Sequence, residues 1–445
     1  MEKEYTVVVH KGVDLTELEY EITASSGAGP IPNRSVDIAN PRPASKRQTH
    51  FMLTDAEAKE LENDPRILAV EIPPDQRSDI QIGLNSTQFG NFTKPSTFTD
   101  NTLVNWGLRR SIMEDNAYQN ITSSDNIFPY AVTGKGVDVV IQDSGIQPDH
   151  PDFIDSNGIS RVKPIDWYAA QSVVSGTQSA NYNRDFDGHG TLCASITAGN
   201  VYGFAKDAHI YSMKISGLEG SGDAGTGTPI SDCFDVIKEW HNAKTNSRPT
   251  VVNMSWGYSS TVTGNPTSGT YRGTGWVWGV DYTTDLALWQ GVGVVIPLAS
   301  SSRKIPIRAV SVDADVDELI AAGVHVVIAA GNDYYAGDVS TGTDYNNNII
   351  FGGLTFNYGR GSSPHSDDAF MVGNISTSVY NDSGVYKDRT QGSSSRGPRV
   401  NIWAPGTNIV GATSTTNSYT SLDSPVDANY KIVSLSGTSF AAPQV

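Results

Sequence analysis

Cysteine is nearly absent from this sequence of 445 residues, which holds only Cys193 and Cys233. Two cysteines imply no disulfide framework, and two buried free thiols are expected rather than a bridge. No stretch reaches about 18 uninterrupted apolar residues, so no membrane-spanning helix is predicted. The N-terminus, MEKEYTVVVHKG, lacks a basic segment followed by an apolar one. A cytoplasmic location is the default expectation, and secretion stays open.

Basic residues are scarce relative to acidic ones. The 31 Lys and Arg against 48 Asp and Glu give a net charge of −17. This balance opposes nucleic-acid binding, which depends on concentrated Lys and Arg, and neither a nucleic acid nor a membrane is expected as a partner. The acidic excess favours solubility over cation binding. The length suits one large domain with a smaller one.

The pattern of residues 1–75 predicts a small α+β unit. YTVVVH, RSVDIA, THFML and ILAVEI have the composition of strands, while Asp14 with Glu17, and Thr54 with Glu57, are spaced as helix N-terminal caps. The order β-α-β-β-α-β predicts a ferredoxin-like domain. Residues 76–104 are polar, carry Pro, Gly, Ser, Thr and Asn without periodicity, and are predicted to be a linker.

From residue 105 onward, apolar strands alternate with helical stretches. VDVVIQ, AHIYSMKIS, TVVNMSW and VHVVIAA are separated by segments such as GTLCASITAG and DADVDELIAAG. This alternation predicts an α/β fold, a parallel β-sheet with helices on both faces. Functional side chains of such a fold lie at the carboxyl ends of the strands.

Four polar residues occupy such ends or the starts of helices. Asp143 follows VDVVIQ, His189 lies between glycines in DFDGHGT, Asn332 follows VVIAAG, and Ser439 stands in SGTSFAAP. Each alone is more often a turn or cap residue. Together they supply an orienting carboxylate, a general base, an oxyanion donor and a nucleophile.

The motifs DSG, GHGT, AAGN and GTSFAAP, in the order Asp, His, Asn, Ser, resemble those of the subtilisin-like serine peptidases. The resemblance runs from about Trp106 to the end of the chain. It implies a catalytic domain at 105–445 in which Asp143 orients His189, His189 takes the proton of Ser439, and Asn332 holds the oxyanion. A serine endopeptidase acting on polypeptides through an acyl-enzyme is the function it implies.

The resemblance also implies where a peptide substrate would lie. MKISGLEGSG and VVNMSWG are similar to the family's two substrate-flanking segments, which gives one edge at Gly220, Ser221 and Gly222 and another at Ser255, Trp256 and Gly257. Trp256 stands where many relatives have a smaller aliphatic residue.

Residues 1–75 are similar to the family's prodomains, which template folding and inhibit their own enzyme. A self-processing zymogen with an autocleavage site in the 76–104 linker is therefore expected, and a monomer. An ordinary N-terminal interaction module is the alternative.

Several features depart from the family. AGNVYGFAKDAHI is shorter than the loop that binds structural calcium in many subtilisins, so no metal or cofactor is assigned. The stretch from Tyr258 to Pro306 is longer than usual and is expected to be a surface insertion. The serine helix stops early, which suggests a catalytic domain incomplete at its C-terminus.

Two other functions stay open. The first is a catalytically silent, peptide-binding or structural relative with its cleft reused. The second is an esterase or lipase, which the absence of a G-x-S-x-G elbow disfavours.

Overall fold

The computed structural model describes residues 1–24, 29–84, 105–116, 118, 132–168, 178–220, 225–297 and 302–445. Within them, an N-terminal sheet domain is followed by a larger body built on a mixed central sheet. Of the predicted linker, the described part ends at Leu84.

The N-terminal domain has the element order expected from the sequence. Its elements are β1 (Glu2–Val9), α1 (Leu15–Thr23), β2 (Ile38–Asn40), β3 (Gln48–Thr54), α2 (Asp55–Leu61) and β4 (Ile67–Glu71). The strands form an antiparallel sheet in the order β2-β3-β1-β4. Both predicted caps are present: Asp14 accepts a bond from the backbone of Thr16, and Thr54 with Glu57 forms a reciprocal capping box.

The central sheet of the larger body has eight strands. They are β6 (Asp138–Asp143), β7 (Val162–Pro164), β8 (His209–Lys214), β9 (Thr250–Met254), β14 (His325–Ala329), β17 (Phe370–Asp382), β18 (Val385–Thr390) and β19 (Ile402–Pro405). The order is β18-β17-β14-β9-β6-β8-β7, with β19 also paired to β17. All described pairs are parallel except β17 with β18.

Helices cover both faces of this sheet, as predicted. The described α-helices of the body are α3 (Trp106–Arg110), α4 (His189–Ala198), α5 (Ile230–Asn242), α6 (Asp285–Val292), α7 (Val310–Ala321) and α8 (Thr438–Ala441). Successive side chains of a strand point to opposite faces. Val139 and Ile141 of β6 therefore pack with Leu192 of α4, whereas Val140 packs with Phe234 of α5.

Three smaller antiparallel sheets complete the body. Their strands are β5 (Gln81–Leu84), β10 (Trp256–Thr263), β11 (Ser268–Tyr271), β12 (Thr274–Val277), β13 (Ser302–Pro306), β15 (Asn348–Phe351), β16 (Leu354–Phe356), β20 (Ile409–Thr413), β21 (Leu422–Asp423) and β22 (Lys431–Leu435). The orders are β13-β10-β5, β12-β11-β15-β16 and β20-β22-β21.

The described part of the long connection expected at Tyr258–Pro306 contains strands and a helix. Its strands β11 and β12 join β15 and β16 from a later part of the chain. A separate apolar cluster holds them together, including Trp276, Leu288, Ile305 and Phe351.

Both cysteines are buried free thiols, as expected. Among the described helices, none is both long and apolar enough to cross a membrane.

Candidate active site

Asp143 and His189 form the buried centre of the site. Asp143 ends β6 at the carboxyl edge of the central sheet, and His189 is the first residue of α4. His189 Nδ1 lies 2.8 Å from Asp143 Oδ1 and 3.0 Å from Oδ2. Both side chains are fully buried. The carboxylate fixes the ring orientation and leaves Nε2 to face a reactant.

The turn before His189 depends on Gly188. Its φ of +98° lies in the left-handed region, and a Cβ there would come within 2.6 Å of Asn417 Cβ and 2.5 Å of Thr413 Oγ1. Glycine is therefore required by conformation and by space.

Asp185 organises the same turn. Its carboxylate accepts bonds from Gly188 N at 2.8 Å, Thr191 N at 2.9 Å and Ser144 Oγ at 3.0 Å. Burial raises the pKa of Asp185 to about 6, although these hydrogen bonds oppose the rise. Ser144 follows Asp143 directly, so this network joins the end of β6 to the start of α4.

Ser439 and Asn332 are brought together through Thr438. Asn332 follows the end of β14, and its Oδ1 accepts bonds from Thr438 N at 3.0 Å and Thr438 Oγ1 at 3.3 Å. Ser439 is the next residue, in α8, and its Oγ donates to Ser255 O at 3.0 Å. The Phe440 ring centroid lies 5.3 Å from that of His189, which places the serine turn beside the imidazole.

Two polar atoms at the centre of the site have no hydrogen-bond partner in the described part of the chain. They are His189 Nε2 and Asn332 Nδ2, and both are buried. Buried polar groups are almost always paired, so an unpaired acceptor and donor here are consistent with partners that arrive with a substrate.

The pKa of His189 is raised by its surroundings. Burial, the largest influence, would lower the pKa of His189, but the negative charge of Asp143 and the hydrogen bonds around Nδ1 outweigh it. The pKa of His189 is therefore well above its ordinary value.

Cys193 lies one helical turn after His189. Its Sγ is 3.7 Å from His189 Nδ1 and 3.5 Å from Ser439 O. Burial raises the pKa of this thiol, so the reactive thiolate is disfavoured. Asp143, His189 and Cys193 are the only group of three described His, Cys, Asp or Glu side chains whose ligand atoms all lie within 4.8 Å of one another. An ion there would compete with Asp143 for His189 Nδ1.

The loop after α4 is held by a hydrogen bond to Asp152. The carboxylate of Asp152 is held by protein donors, Ser195 Oγ at 2.6 Å and Val201 N at 2.7 Å. Calcium needs six or more oxygen ligands, and Asp152, which lies before α4 in the chain, uses its buried carboxylate for these protein hydrogen bonds.

The predicted substrate edges are described in part. Gly220 has a φ of +83°, and a Cβ there would lie 2.6 Å from the backbone of Phe186, beside the turn that leads to His189. Ser221 and Gly222 lie outside the described residues. Trp256 is fully buried, with its ring 6.4 Å from Phe234 and its Nε1 donating to Gln142. Trp256 can therefore offer a substrate only its backbone.

The other predicted edge, Ser255 to Gly257, already has a neighbour from this chain. Strand β5 lies antiparallel to β10, with Leu84 opposite Trp256 and Gly83 opposite Gly257. The segment that follows the N-terminal domain thus occupies the edge expected to hold a peptide.

Thr438 and Asp185 were not singled out from the sequence. Thr438 stands inside the GTS motif and Asp185 opens DFDGHG. A carboxylate a few residues before a Gly-His helix start is a local capping signal that could have identified Asp185. The contact of Thr438 with Asn332 spans 106 positions and has no local signal.

A comparison with protein families identifies the part of the chain that contains this site. The family model described as "Subtilase family" matches residues 134–445, which contain Asp143, His189, Asn332 and Ser439.

Individual relatives are distant. A subtilisin-like serine protease of Cochliobolus lunatus is 28% identical over 51% of this chain and 34% of its own length. Subtilisin-like protease 4 of Arthroderma benhamiae is 26% identical over 74% of this chain and 57% of its own length. The chain thus spans about half, or less, of these relatives.

Among solved structures, fervidolysin from Fervidobacterium pennivorans, a keratinolytic enzyme related to subtilisin, is similar to the whole of this chain. It has a TM-score of 0.50 at 16% identity, with 53% of its own chain covered. This likeness shows the fold. Since the family model covers well over half of the sequence, the chain belongs to the subtilase family.

Proposed function

We propose that this chain is a serine endopeptidase made as a self-processing zymogen. The observation that carries the proposal is the buried pair of Asp143 and His189, with His189 Nε2 unpaired among the described residues and its ring in contact with Phe440, the residue after Ser439. The unpaired amide of Asn332 supplies a donor for the oxyanion.

The reaction follows from these positions. Ser439 Oγ exchanges its bond to Ser255 O for one to His189 Nε2, gives its proton to that nitrogen, and attacks the scissile carbonyl carbon. Asn332 Nδ2 and the Ser439 backbone N–H hold the resulting oxyanion. His189 then protonates the leaving amine, and water, deprotonated by His189, releases the acyl group.

Ser439 is favoured over Ser195 as the nucleophile. Ser195 lies on α4, the helix that begins with His189. Its Oγ donates a hydrogen bond to Asp152 at 2.6 Å and accepts one from Ala412 N at 2.8 Å. A hydroxyl held this way stabilises the fold.

A fluorophosphonate probe tests the chemistry. We expect covalent labelling of the wild-type chain, loss of labelling in Ser439→Ala and His189→Ala, and retained labelling in Ser195→Ala, the matched control. No labelling of folded wild type would favour the catalytically silent alternative.

The N-terminal domain fits the role of an attached inhibitor. Arg42 is buried between Asp235 of α5, at 2.5 Å, and Asp315 of α7, at 3.1 Å. Glu71 accepts a bond from the backbone of Ser311, the second residue of α7, at 2.8 Å. This docking holds the chain that leads into β5, which then covers the substrate edge of β10.

Self-processing is tested by mass spectrometry of the purified chain. Because β5 enters the cleft with Leu84 nearest Ser255, we expect cleavage in the residues that follow, within 85–104. Ser439→Ala should remain a single species of 47.7 kDa. An intact wild-type chain that still reacts with fluorophosphonate would support the serine peptidase proposal and contradict the self-processing proposal.

A further inference from the structure

Strand β10 extends well beyond the part that β5 covers. β5 pairs with Trp256–Ser259 on one side, and β13 pairs with Ser259–Thr263 on the other. The strand is buried at its start and has exposed residues at Thr261 and Thr263. Among the described residues, its second half therefore has a strand partner on the β13 side only.

The backbone hydrogen bonds of Tyr258 show to which side each N–H and C=O group of β10 points. Its N–H donates to Ser363 O at 3.1 Å, and its C=O accepts from Ile307 N at 3.0 Å, so both point to the β13 side. Backbone groups alternate between the two sides of an antiparallel strand. Ser260 and Val262 accordingly also point toward β13.

The intervening residues point the other way. Gly257 and Ser259 face β5, opposite Gly83 and Gln81. Thr261 and Thr263 face the same side, and no hydrogen bond from a described residue reaches their backbone N–H or C=O there.

The residues that precede β5 do not lie along Thr261 and Thr263. Before Gln81 the chain turns at Ser78 and Asp79, with Asp79 paired to Arg77 at 2.6 Å. Ile80 is buried in the body of the protein. The strand addition by β5 therefore stops at Ser259.

We propose that Thr261 and Thr263 form an additional substrate-binding edge, which pairs as a β-strand with the upstream part of an extended polypeptide substrate. This inference rests on the proposed function. The occupant is argued from continuity, since the edge continues the side of β10 on which β5 already lies as a strand.

The register defines which substrate residues are held. If the residue opposite Ser255 is the first before the scissile bond, Gly257 faces the third, Ser259 the fifth, Thr261 the seventh and Thr263 the ninth. Substrates that offer a long, unfolded upstream segment should bind better than short peptides.

Two peptides test this on the self-processed enzyme, one with five residues before the scissile bond and one with nine. We expect the longer peptide to have a KM lower by about tenfold with kcat unchanged, because two further residues exchange backbone hydrogen bonds. Backbone N-methylation at the seventh and ninth residues should abolish this gain. N-methylation at the eighth, whose N–H points away from β10, should leave it.

Thr261→Pro tests the enzyme side. It removes an N–H that the β13 ladder does not use, so the strand should survive. We expect the long peptide to lose most of its advantage while the short peptide keeps its KM. Thr261→Val, which retains the N–H, is the matched control.

The outcomes separate the two proposals. Equal KM values for both peptides would overturn the additional edge and leave the peptidase intact. Failure to cleave either peptide would overturn the proposed function, and this inference with it.

Discussion

At the residue scale, the site combines tightly held groups with unpaired ones. Asp143 and His189 are joined by hydrogen bonds of 2.8 and 3.0 Å, while His189 Nε2 and Asn332 Nδ2 are buried without partners among the described residues. An unpaired buried polar group costs about 1–3 kcal/mol of stability. Such a cost is consistent with atoms whose partners are present only during the reaction.

Asn332→Ala tests the oxyanion donor. Removing the equivalent kind of donor from subtilisin lowers kcat about 10²–10³-fold, and we expect a similar loss here with little change in KM. Because Asn332 Oδ1 also holds Thr438, thermal unfolding of the variant must be measured beside steady-state kinetics. A larger effect on KM than on kcat would contradict the assignment.

The pH dependence of the reaction tests His189. The base must be neutral, and the pKa of His189 is raised above its ordinary value, so the imidazole stays protonated to higher pH than a free histidine. The rate should therefore rise with pH, with a midpoint above about 6.5 in kcat/KM. A rate that is flat down to about pH 4 would indicate a carboxylate mechanism instead.

Asp143→Asn is the companion measurement. It removes the charge that raises the pKa of His189, so the midpoint should move down while kcat falls about 10⁴-fold, as the same change does in a serine-protease triad. An unchanged midpoint would mean that Asp143 does not set the basicity of His189.

At the element scale, local signals predicted some elements and missed others. Asp14 and Thr54 cap α1 and α2 because capping depends on residues within a few positions. Strand β5 carries no such signal in a polar segment. Its extended conformation is accompanied by pairing with β10, far along the chain, which no local pattern encodes.

The docking of the N-terminal domain on α5 and α7 is another long-range feature. Arg42 reaches Asp235 across 193 positions and Asp315 across 273. The sequence shows these charges but not which of them meet.

Arg42→Ala tests that docking. It leaves Asp315 buried without its ion-pair partner and Asp235 paired with Lys238 alone, at 3.4 Å, and we expect a destabilisation of about 3–5 kcal/mol. Arg47→Ala, which breaks the more exposed contact with Asp317, is the matched control and should cost about 0–1 kcal/mol. Thermal unfolding in a Ser439→Ala background, where processing cannot intervene, measures both.

The proposed inhibitory role of this interface can be tested separately, by the time at which activity appears. If the N-terminal domain is the proposed inhibitor, Arg42→Ala in the processing-competent chain should shorten the delay before peptidase activity appears, because the domain would leave the cleft sooner. Equal delays for Arg42→Ala and Arg47→Ala would show that Arg42 does not govern inhibition.

At the scale of the whole molecule, alternation of apolar strands and helices predicted the α/β body correctly. The residues of the four motifs are spread from Asp143 to Ser439, and parallel strands bring the ends of β6 and β14 to the same edge. The sheet built from β11, β12, β15 and β16 was expected only as an insertion. Its core, including Trp276 and Phe351, joins two separate segments, so neither segment alone reveals it.

Calcium dependence is also a property of the whole molecule. Asp152 is held by Ser195 and Val201, so the loop after α4 is closed by protein hydrogen bonds. A ligand that binds only the folded state raises its unfolding temperature, and its removal lowers it. We therefore expect excess EGTA to leave the unfolding midpoint unchanged within about 1 °C. Asp152→Ala should lower the midpoint equally with and without EGTA, since it breaks the closure itself. A fall of several degrees in EGTA that calcium reverses and magnesium does not would show that a calcium site stabilises this fold.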